Sequence, residues 1–464
     1  RFTSTPTLAK SLAMGLGVFF MVISLIALAR MDLLDGRKDL RVLPARWFKL
    51  RPLDGLVVAV LAFWHVFGAN TSDDGYILTM ARVTEHAEYM ANYYRWYGVP
   101  ESPFGTPYYD LLALFASIST NSLWMRLPAL LCGLAIWWVL SREILPRLGE
   151  MVNERRVAQW TAALVFLSFW LPFNNGIRPE PFVALGVVLT WVSFERAIAT
   201  QRLLPAAIGT FLATVTLAAG PTGLFAVGSF LIALPYLVRI LRYRMELLDG
   251  GKLAAAAMIT PFLAAGTMIM VMIFNNQTIA TVLESTRVRG EVGPSLEWFF
   301  EFVRYQTLFE QTVDGSFTRR FGPVVMFACI ALILYAFVRD RKMANGPALR
   351  LVLIVFVSLF FLMFTPTKWT HHFGIYAGIA AAIAALGSVV LSQVAVRSRR
   401  ARILAIAGVL FLLAFALAGW NAWWYVSSFG IPWWDRTIQL RGIEATNVVL
   451  LLALLVLLVG VIYS

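Results

Sequence analysis

Asp73 and Asp74 stand side by side in the string NTSDDGYI, directly after an apolar run. Charge at the edge of hydrocarbon is costly and tends to be kept for function. A carboxylate within hydrogen-bond reach of a sugar hydroxyl could act there as a general base. A plainer reading stays open: Ser72 or Asp73 simply caps the helix that follows. His371 and His372 come after Lys368 and Trp369 in TPTKWTHHF. His and Lys donate to phosphate oxygens, and a helix beginning near His372 favours an anion. The competing account is an aromatic-belt anchor with snorkelling cations. No HExxH and no third ligand at fixed spacing accompany the two histidines, so no metal site is expected.

Other candidates carry a weaker signal. NNGIRPEP sets Arg178 and Glu180 ahead of a helix, which reads first as a helix start with Pro in its first turn, although Arg178 could serve a phosphate. Glu101, in PESPFG, is a third carboxylate on a Pro-bounded loop and signals nothing alone. Arg287, Arg289, Arg319 and Arg320 lie among acids in segment 275–321 and read as a solvated loop. Trp420, Trp423, Trp424, Trp433 and Trp434 crowd one segment. Such density suits an interface belt and also a platform for sugar rings or a lipid chain.

The elements that must position these residues are membrane helices. Of the 464 residues 59% are hydrophobic and only 14% charged, with a mean hydropathy of +0.73. Soluble domains run near half apolar and a quarter charged, so a soluble enzyme and a disordered chain are excluded. Cys132 and Cys329 sit in apolar runs, which rules out a disulfide framework and a thiolate metal site. The chain begins at Arg1, which reads as a fragment, and shows no secretory signal with a cleavage site.

Crossing a hydrocarbon layer of ~30 Å takes roughly 17–25 apolar residues. The sequence offers about 13 such stretches, near 9–30, 54–70, 123–141, 157–173, 180–197, 203–219, 221–239, 252–274, 322–338, 350–365, 373–392, 402–419 and 445–463. Basic residues sort the connections. Segment 30–51 carries Arg30, Arg37, Lys38, Arg41, Arg46, Lys49 and Arg51. Four more clusters follow: Arg142, Arg147, Arg155 and Arg156; Arg239, Arg242, Arg244 and Lys252; Arg339, Arg341, Lys342 and Arg350; and Arg397, Arg399, Arg400 and Arg402. Together they hold 23 of the 39 Lys and Arg, and the positive-inside rule makes them cytoplasmic. The +13 net charge is therefore an orientation signal, not a nucleic-acid surface. Left outside are 71–122, the turns at 174–179 and Gly220, 275–321, 366–372 and 420–444. All four histidines, His65, His86, His371 and His372, fall on or near that comparatively acidic face. Residues 74–97 have the spacing of an amphipathic helix lying on the membrane surface, and 108–119 is too short to cross and reads as re-entrant or interfacial.

Two functions fit this plan. One is a polytopic transferase taking a sugar from a lipid phosphate; the other is a transporter or flippase for a polyprenyl-linked sugar. Transporters place ionisable groups mid-helix and show repeats, whereas charge here sits at helix ends. Nucleotide use is disfavoured by the lack of a P-loop or dinucleotide fingerprint.

The strings NTSDDGYILTMARVTEHAEYMANYYRW, PESPFG and WMRLPALLCGLAIWWVLSREILPRLG closely resemble the actinobacterial arabinofuranosyltransferases targeted by ethambutol, the Emb family. NNGIRPE, AAGPTGLFA, DGSFTRRF, TKWTHHFG and NAWWYVSSFGIPWW resemble the same family in the same order, so the likeness covers essentially the whole chain. It implies an all-α polytopic GT-C fold, represented here by its transmembrane catalytic core (1–464), with the family's extracellular carbohydrate-binding domains absent. It implies an arabinosyltransferase in the plasma membrane, working at the outer face without a cofactor. The donor would be decaprenyl-phosphoryl-arabinose and the acceptor an arabinan of arabinogalactan or lipoarabinomannan. A β donor and α-linked product mean inversion, hence one displacement and one base. By motif match Asp73 is that base, with Asp74 orienting the acceptor or raising the base's pKa. Glu101, Trp369 and His371 match positions lining the sugar and ethambutol pocket, with Tyr76 and Met80 on the adjacent helix. His371 is assigned to the leaving phosphate, with His372 and Arg178 as further nominations. The resemblance also allows a homodimer or a heterodimer with a paralogue, and an acyl carrier protein on the basic inner loops. One departure stands out: the family usually continues PFG with Trp-Tyr-Tyr, whereas here Thr106-Pro107-Tyr108-Tyr109 follows, so the aromatic wall near Glu101 is expected to differ.

Overall fold

The computed structural model describes residues 3–36, 44–93, 96–249, 251–339, 346–423 and 432–463. Arg37, Lys38, Arg41, Arg341, Lys342 and Trp424 lie outside the described residues. Among the described residues the regular structure is almost entirely helical, apart from a two-residue hairpin pairing Gln439–Leu440 with Ile443–Glu444 and an isolated bridge between Asn92 and Val99.

In chain order the helices that matter here are α1 (Leu8–Leu33), α2 (Pro52–Phe67), α3 (Asp74–Ala87), α4 (Tyr108–Ile118), α5 (Leu127–Val139), α6 (Arg156–Phe173), α7 (Glu180–Thr200), α8 (Leu204–Ala219) and α9 (Leu224–Leu248). They continue with α10 (Gly251–Phe274), α11 (Ile279–Val292), α12 (Phe302–Phe309), α13 (Phe317–Arg339), α14 (Pro347–Leu362), α15 (Ala377–Arg397), α16 (Arg399–Leu417) and α17 (Ala445–Ile462). Each of the thirteen apolar stretches read from the sequence coincides with a helix. Among the described residues nine helical segments are long and apolar enough to cross a membrane.

Helix ends follow local chemistry. The Thr7 hydroxyl accepts from the Lys10 amide at 3.3 Å to cap α1, and Asp54 accepts from the Arg51 amide at 2.7 Å with Pro52 in the first turn of α2. The expected surface helix over 74–97 stops at Ala87, because Glu88 adopts a left-handed conformation (φ 68°) that ends α3.

The bundle is built around α15. Residues Ala377–Ala385 are fully buried, packed by α6, α13 and α16. Its sequence AGIAAAIAALG is small-residue rich, which lets neighbouring backbones approach closely. A Cβ on Gly378 would lie 2.5 Å from Val188 of α7, so only glycine fits that crossing. The outermost helices behave oppositely. On α1 and α17 most of the apolar side chains, among them Leu12, Phe19, Leu454 and Val461, are exposed, as expected of surfaces covered by lipid.

The basic end of the bundle corrects one expectation. Several arginines read as loop-end charges are buried and paired. Arg142, in a π turn (Leu140–Ile144) continuing α5, donates through Nη1 to Asp54 at 2.6 Å. Glu143 is reached by Arg147 at 2.8 Å and Arg196 at 3.1 Å. Arg350 grips Glu195 through two bonds of 2.6 Å, and Arg244 reaches Asp32 at 3.3 Å. Two-pronged guanidinium–carboxylate pairs neutralise charge that could not otherwise be enclosed.

Candidate active site

A cavity of about 610 Å³ opens where the ends of α3, α7, α8, α11 and the segment 364–372 converge. Its lining comes from 72–109, 178–180, 219–222, 286–295, Asp314 and 364–372. These are the segments the loop charges assign to one side of the membrane, together with the helix ends that flank them.

The turn 174–178 organises the site, and each of its residues has a task. Asn174 Nδ2 donates to the Gly374 carbonyl at 2.9 Å, tying the turn to the histidine segment. Asn175 Nδ2 donates to the carbonyls of Trp64 (3.0 Å) and Ala69 (2.9 Å), tying it to the end of α2. Gly176 has no room for a side chain, since a Cβ would sit 2.4 Å from both Asp74 Oδ1 and Thr71 Oγ1. The Ile177 amide donates to Asp74 Oδ1 at 3.0 Å, while its carbonyl accepts from Tyr108 at 3.0 Å. Arg178 then enters the cavity.

Arg178 separates the two adjacent aspartates into different roles. Its Nη2 lies 3.0 Å from Asp73 Oδ2, and its Nε lies 3.5 Å from Glu180 Oε2. Burial works against the guanidinium's charge, but the carboxylates of Asp73 and Glu180 outweigh it and raise its pKa. Asp73 occupies the N-cap position of α3, yet its side chain makes no capping bond; it lines the cavity and is about one-fifth exposed. The plain capping account therefore does not describe it. Asp74 is turned away from the cavity. It accepts from the Thr71 hydroxyl and the Ile177 amide, and burial raises its pKa to about 6.

Tyr76, Glu101, Trp369, His371 and His372 line the same cavity as Asp73 and Arg178, whereas Met80 is buried in the helical core beside Ile77. Glu101 pairs with Arg289 at 3.4 Å, and Arg289 lies over the Trp96 ring at 4.5 Å. Tyr109, from the segment that departs from the family pattern, supplies part of this wall. Trp423 packs on Trp64 at 4.6 Å, and Trp433 is partly exposed.

The segment 275–321 is not the solvated loop that its charge suggested. It forms α11, α12 and the start of α13, and Arg304, Arg319 and Arg320 are buried. Arg319 pairs with Asp314, which lines the cavity, and donates to Thr370 at 3.1 Å. Arg287 does remain exposed, paired with Glu284 and Glu291. Sequence reasoning missed Glu180, Arg289 and Asp314 as cavity residues, and Arg304 as the buried partner of His372 behind them. Glu180 had a signal in its contiguity with Arg178; the others had none beyond sitting in an acidic and basic stretch.

Glu180, His371 and His372 bring one ligand atom each within 4.8 Å of one another, a grouping able in principle to hold a metal ion. Both histidine Nε2 atoms lie 3.9 Å from Glu180 Oε1. In chemical terms the cavity presents four carboxylates, Asp73, Glu101, Glu180 and Asp314, each paired with a guanidinium, together with imidazole nitrogens and aromatic faces that suit a sugar.

The family model described as "Mycobacterial cell wall arabinan synthesis protein" matches residues 5–464. The "Probable arabinosyltransferase C" of Mycolicibacterium smegmatis is 49% identical over 463 residues, which is 99% of this chain and 42% of that protein. The protein of the same name from Mycobacterium tuberculosis is 49% identical over 462 residues, covering 98% of this chain and 42% of its own length. Among solved structures, arabinosyltransferase EmbB from Mycobacterium smegmatis superposes with a TM-score of 0.88 at 44% identity, covering 99% of this chain and 42% of that one. The chain thus spans less than half the length of the curated relatives it matches, and over that span it shares the fold of the solved EmbB structure.

Proposed function

The chain belongs to the mycobacterial cell wall arabinan synthesis family, and from that premise we propose that it is the catalytic membrane core of an inverting arabinofuranosyltransferase. The donor is decaprenyl-phosphoryl-arabinose and the acceptor is a hydroxyl of an arabinan chain. The reaction takes place at the outer face of the plasma membrane.

In this reading the acceptor oxygen attacks the anomeric carbon as the bond from that carbon to the phosphate oxygen breaks. Asp73 takes the hydroxyl proton, and decaprenyl phosphate leaves with the bond electrons. Arg178, His371 and His372 face the departing phosphate. A preorganised set of donors stabilises such developing charge more than water can, because it needs no reorientation during the step. Glu101, Tyr76 and Trp369 frame the sugars. Asp74 acts through structure: it fixes the turn that carries Arg178.

The observation that carries the proposal is the Asp73–Arg178 contact at 3.0 Å inside a cavity also lined by both histidines. It puts a base and an anion-binding donor within one sugar's width. The test is Asp73→Asn in the native membrane-inserted polypeptide, assayed for arabinose transfer from the lipid donor to a synthetic acceptor. Loss of a general base should lower kcat about 10²–10⁴-fold. Near-normal transfer by a folded variant would sink the assignment. A new glycosidic bond formed in detergent, without a sealed membrane, would exclude pure transport.

A further inference from the structure

Arg304 is fully buried behind the histidine wall, outside the cavity lining, and every nitrogen of its guanidinium is in use. Its Nε donates to Glu301 Oε1 at 2.7 Å, and its Nη2 to Thr365 Oγ1 at 2.8 Å. Nη1 donates to the Trp369 carbonyl and to His372 Nδ1, both at 2.6 Å. Weaker bonds of 3.3 Å reach the carbonyls of Leu362 and Thr367. One side chain on α12 thus holds the backbone that presents Trp369, His371 and His372.

The contact with Nδ1 has a chemical consequence. A guanidinium has five N–H donors and no acceptor, so His372 Nδ1 must offer its lone pair. In a neutral imidazole the remaining proton then sits on Nε2. That atom lies 3.9 Å from Glu180 Oε1, and both residues line the cavity.

We propose that Arg304 is a positioning residue that locks His372 in the Nε2–H tautomer, so that His372 donates a hydrogen bond to the oxygens of a phosphate monoester in the cavity. This rests on the reading of the reaction given above. The same geometry assigns the Glu180–His371–His372 group to anion binding instead of a divalent cation. A metal on His372 Nε2 would need the lone pair there, and a metal-bound imidazole uses its other nitrogen as a donor to a carboxylate, carbonyl or water. Here that nitrogen faces a guanidinium, so the ring would have to lose both protons.

The tautomer can be read without turnover, by ¹⁵N-histidine NMR of the native polypeptide in lipid nanodiscs. His372, assigned through the resonance lost in His372→Gln, should show a pyridine-like Nδ1 and a pyrrole-like Nε2. Addition of a short polyprenyl monophosphate should shift the Nε2–H resonance, and Zn²⁺ should leave it in place. A Nδ1–H tautomer, or a signal moved by Zn²⁺ and not by the phosphate, would overturn the proposal. Kinetics give an independent arm. The amide of His372→Gln reaches the Nε2 position and should cost about tenfold in kcat, while His372→Asn, which reaches only Nδ1, should cost about 10²-fold. Equal losses would contradict the donor role. Arg304→Lys keeps the charge but cannot span the same acceptors, so a mixture of tautomers is expected; should it fail to fold, the wild-type spectrum and the His372 pair still decide. Failure of arabinose transfer in the wild type, with Nε2–H intact and phosphate-responsive, would remove the transferase reading and leave the lock standing.

Discussion

Arg178 reaches Asp73 from a different part of the chain, Nη2 to Oδ2 at 3.0 Å, and holds Glu180 with its Nε. The same guanidinium therefore orients the proposed base and faces the proposed leaving group. Lys cannot reproduce this, because its ammonium is a point charge without the planar fork. Arg178→Lys should lower kcat by about 10²-fold with folding preserved. Steady-state rates at saturating donor and acceptor measure this. A kcat within threefold of wild type would show that Asp73 needs no such partner.

Asp74 predicts a pH dependence of stability. Burial holds its carboxyl at about 6, against an ordinary 3.8. Between those values the folded protein binds the proton that the unfolded chain releases, so stability falls as pH rises through that window. A shift of this size corresponds to about 3 kcal/mol of lost stability by pH 7. Asp74→Asn keeps an acceptor for the Ile177 amide while removing the titration. Thermal unfolding in detergent between pH 4 and 7.5 should show a flattened slope in the variant; an unchanged slope would assign the dependence elsewhere.

Glu101 should report on the acceptor. Its ion pair with Arg289 is partly exposed, and such pairs contribute ~0–1 kcal/mol, so Glu101→Gln should leave folding intact. The expected effect is a rise of about tenfold in acceptor KM, equal to roughly 1.4 kcal/mol of binding, with donor KM unchanged. A parallel rise in donor KM would place Glu101 in the wrong subsite.

The far end of the bundle offers a purely structural test. Asp54 accepts from Arg142 at 2.6 Å and from the Trp137 indole at 3.0 Å, and both charged partners are buried. Asp54→Ala strands Arg142 and should cost about 3–5 kcal/mol. Asp54→Leu with Arg142→Met should be markedly less harmful. Denaturation midpoints compare them, and equal losses would mean the charge pair is not the source of the effect.

Much of the architecture was legible in the sequence because hydropathy is a local property summed over a helix length. Each of the thirteen apolar stretches fell on helical structure, and the loop charges grouped the segments that together line the cavity. The string around Asp73, the NNGIRPE turn and the TKWTHHF segment were legible as candidates, since ionisable groups at helix ends stand out against an apolar background. What no local pattern carries is pairing. Only the folded chain joins Arg304 to His372 across 68 residues and the Ile177 amide to Asp74 across 103. The same gap explains the misreading of 275–321: Arg319 pairs with nearby Asp314, but what encloses these arginines comes from elsewhere in the chain, Thr370 beside Arg319 and Glu101 beside Arg289. The tandem Asp73–Asp74 makes the point most sharply. Identical in type and adjacent in sequence, they differ because one meets Arg178 in the cavity and the other is enclosed by Thr71, Gly176 and Ile177. The sequence by itself determined a helical membrane protein with charge at its helix ends and its candidate site residues gathered on one face. Packing alone decided which of them share a cavity, because hydrogen bonds and charge pairs are set by distances between elements that the chain brings together only on folding.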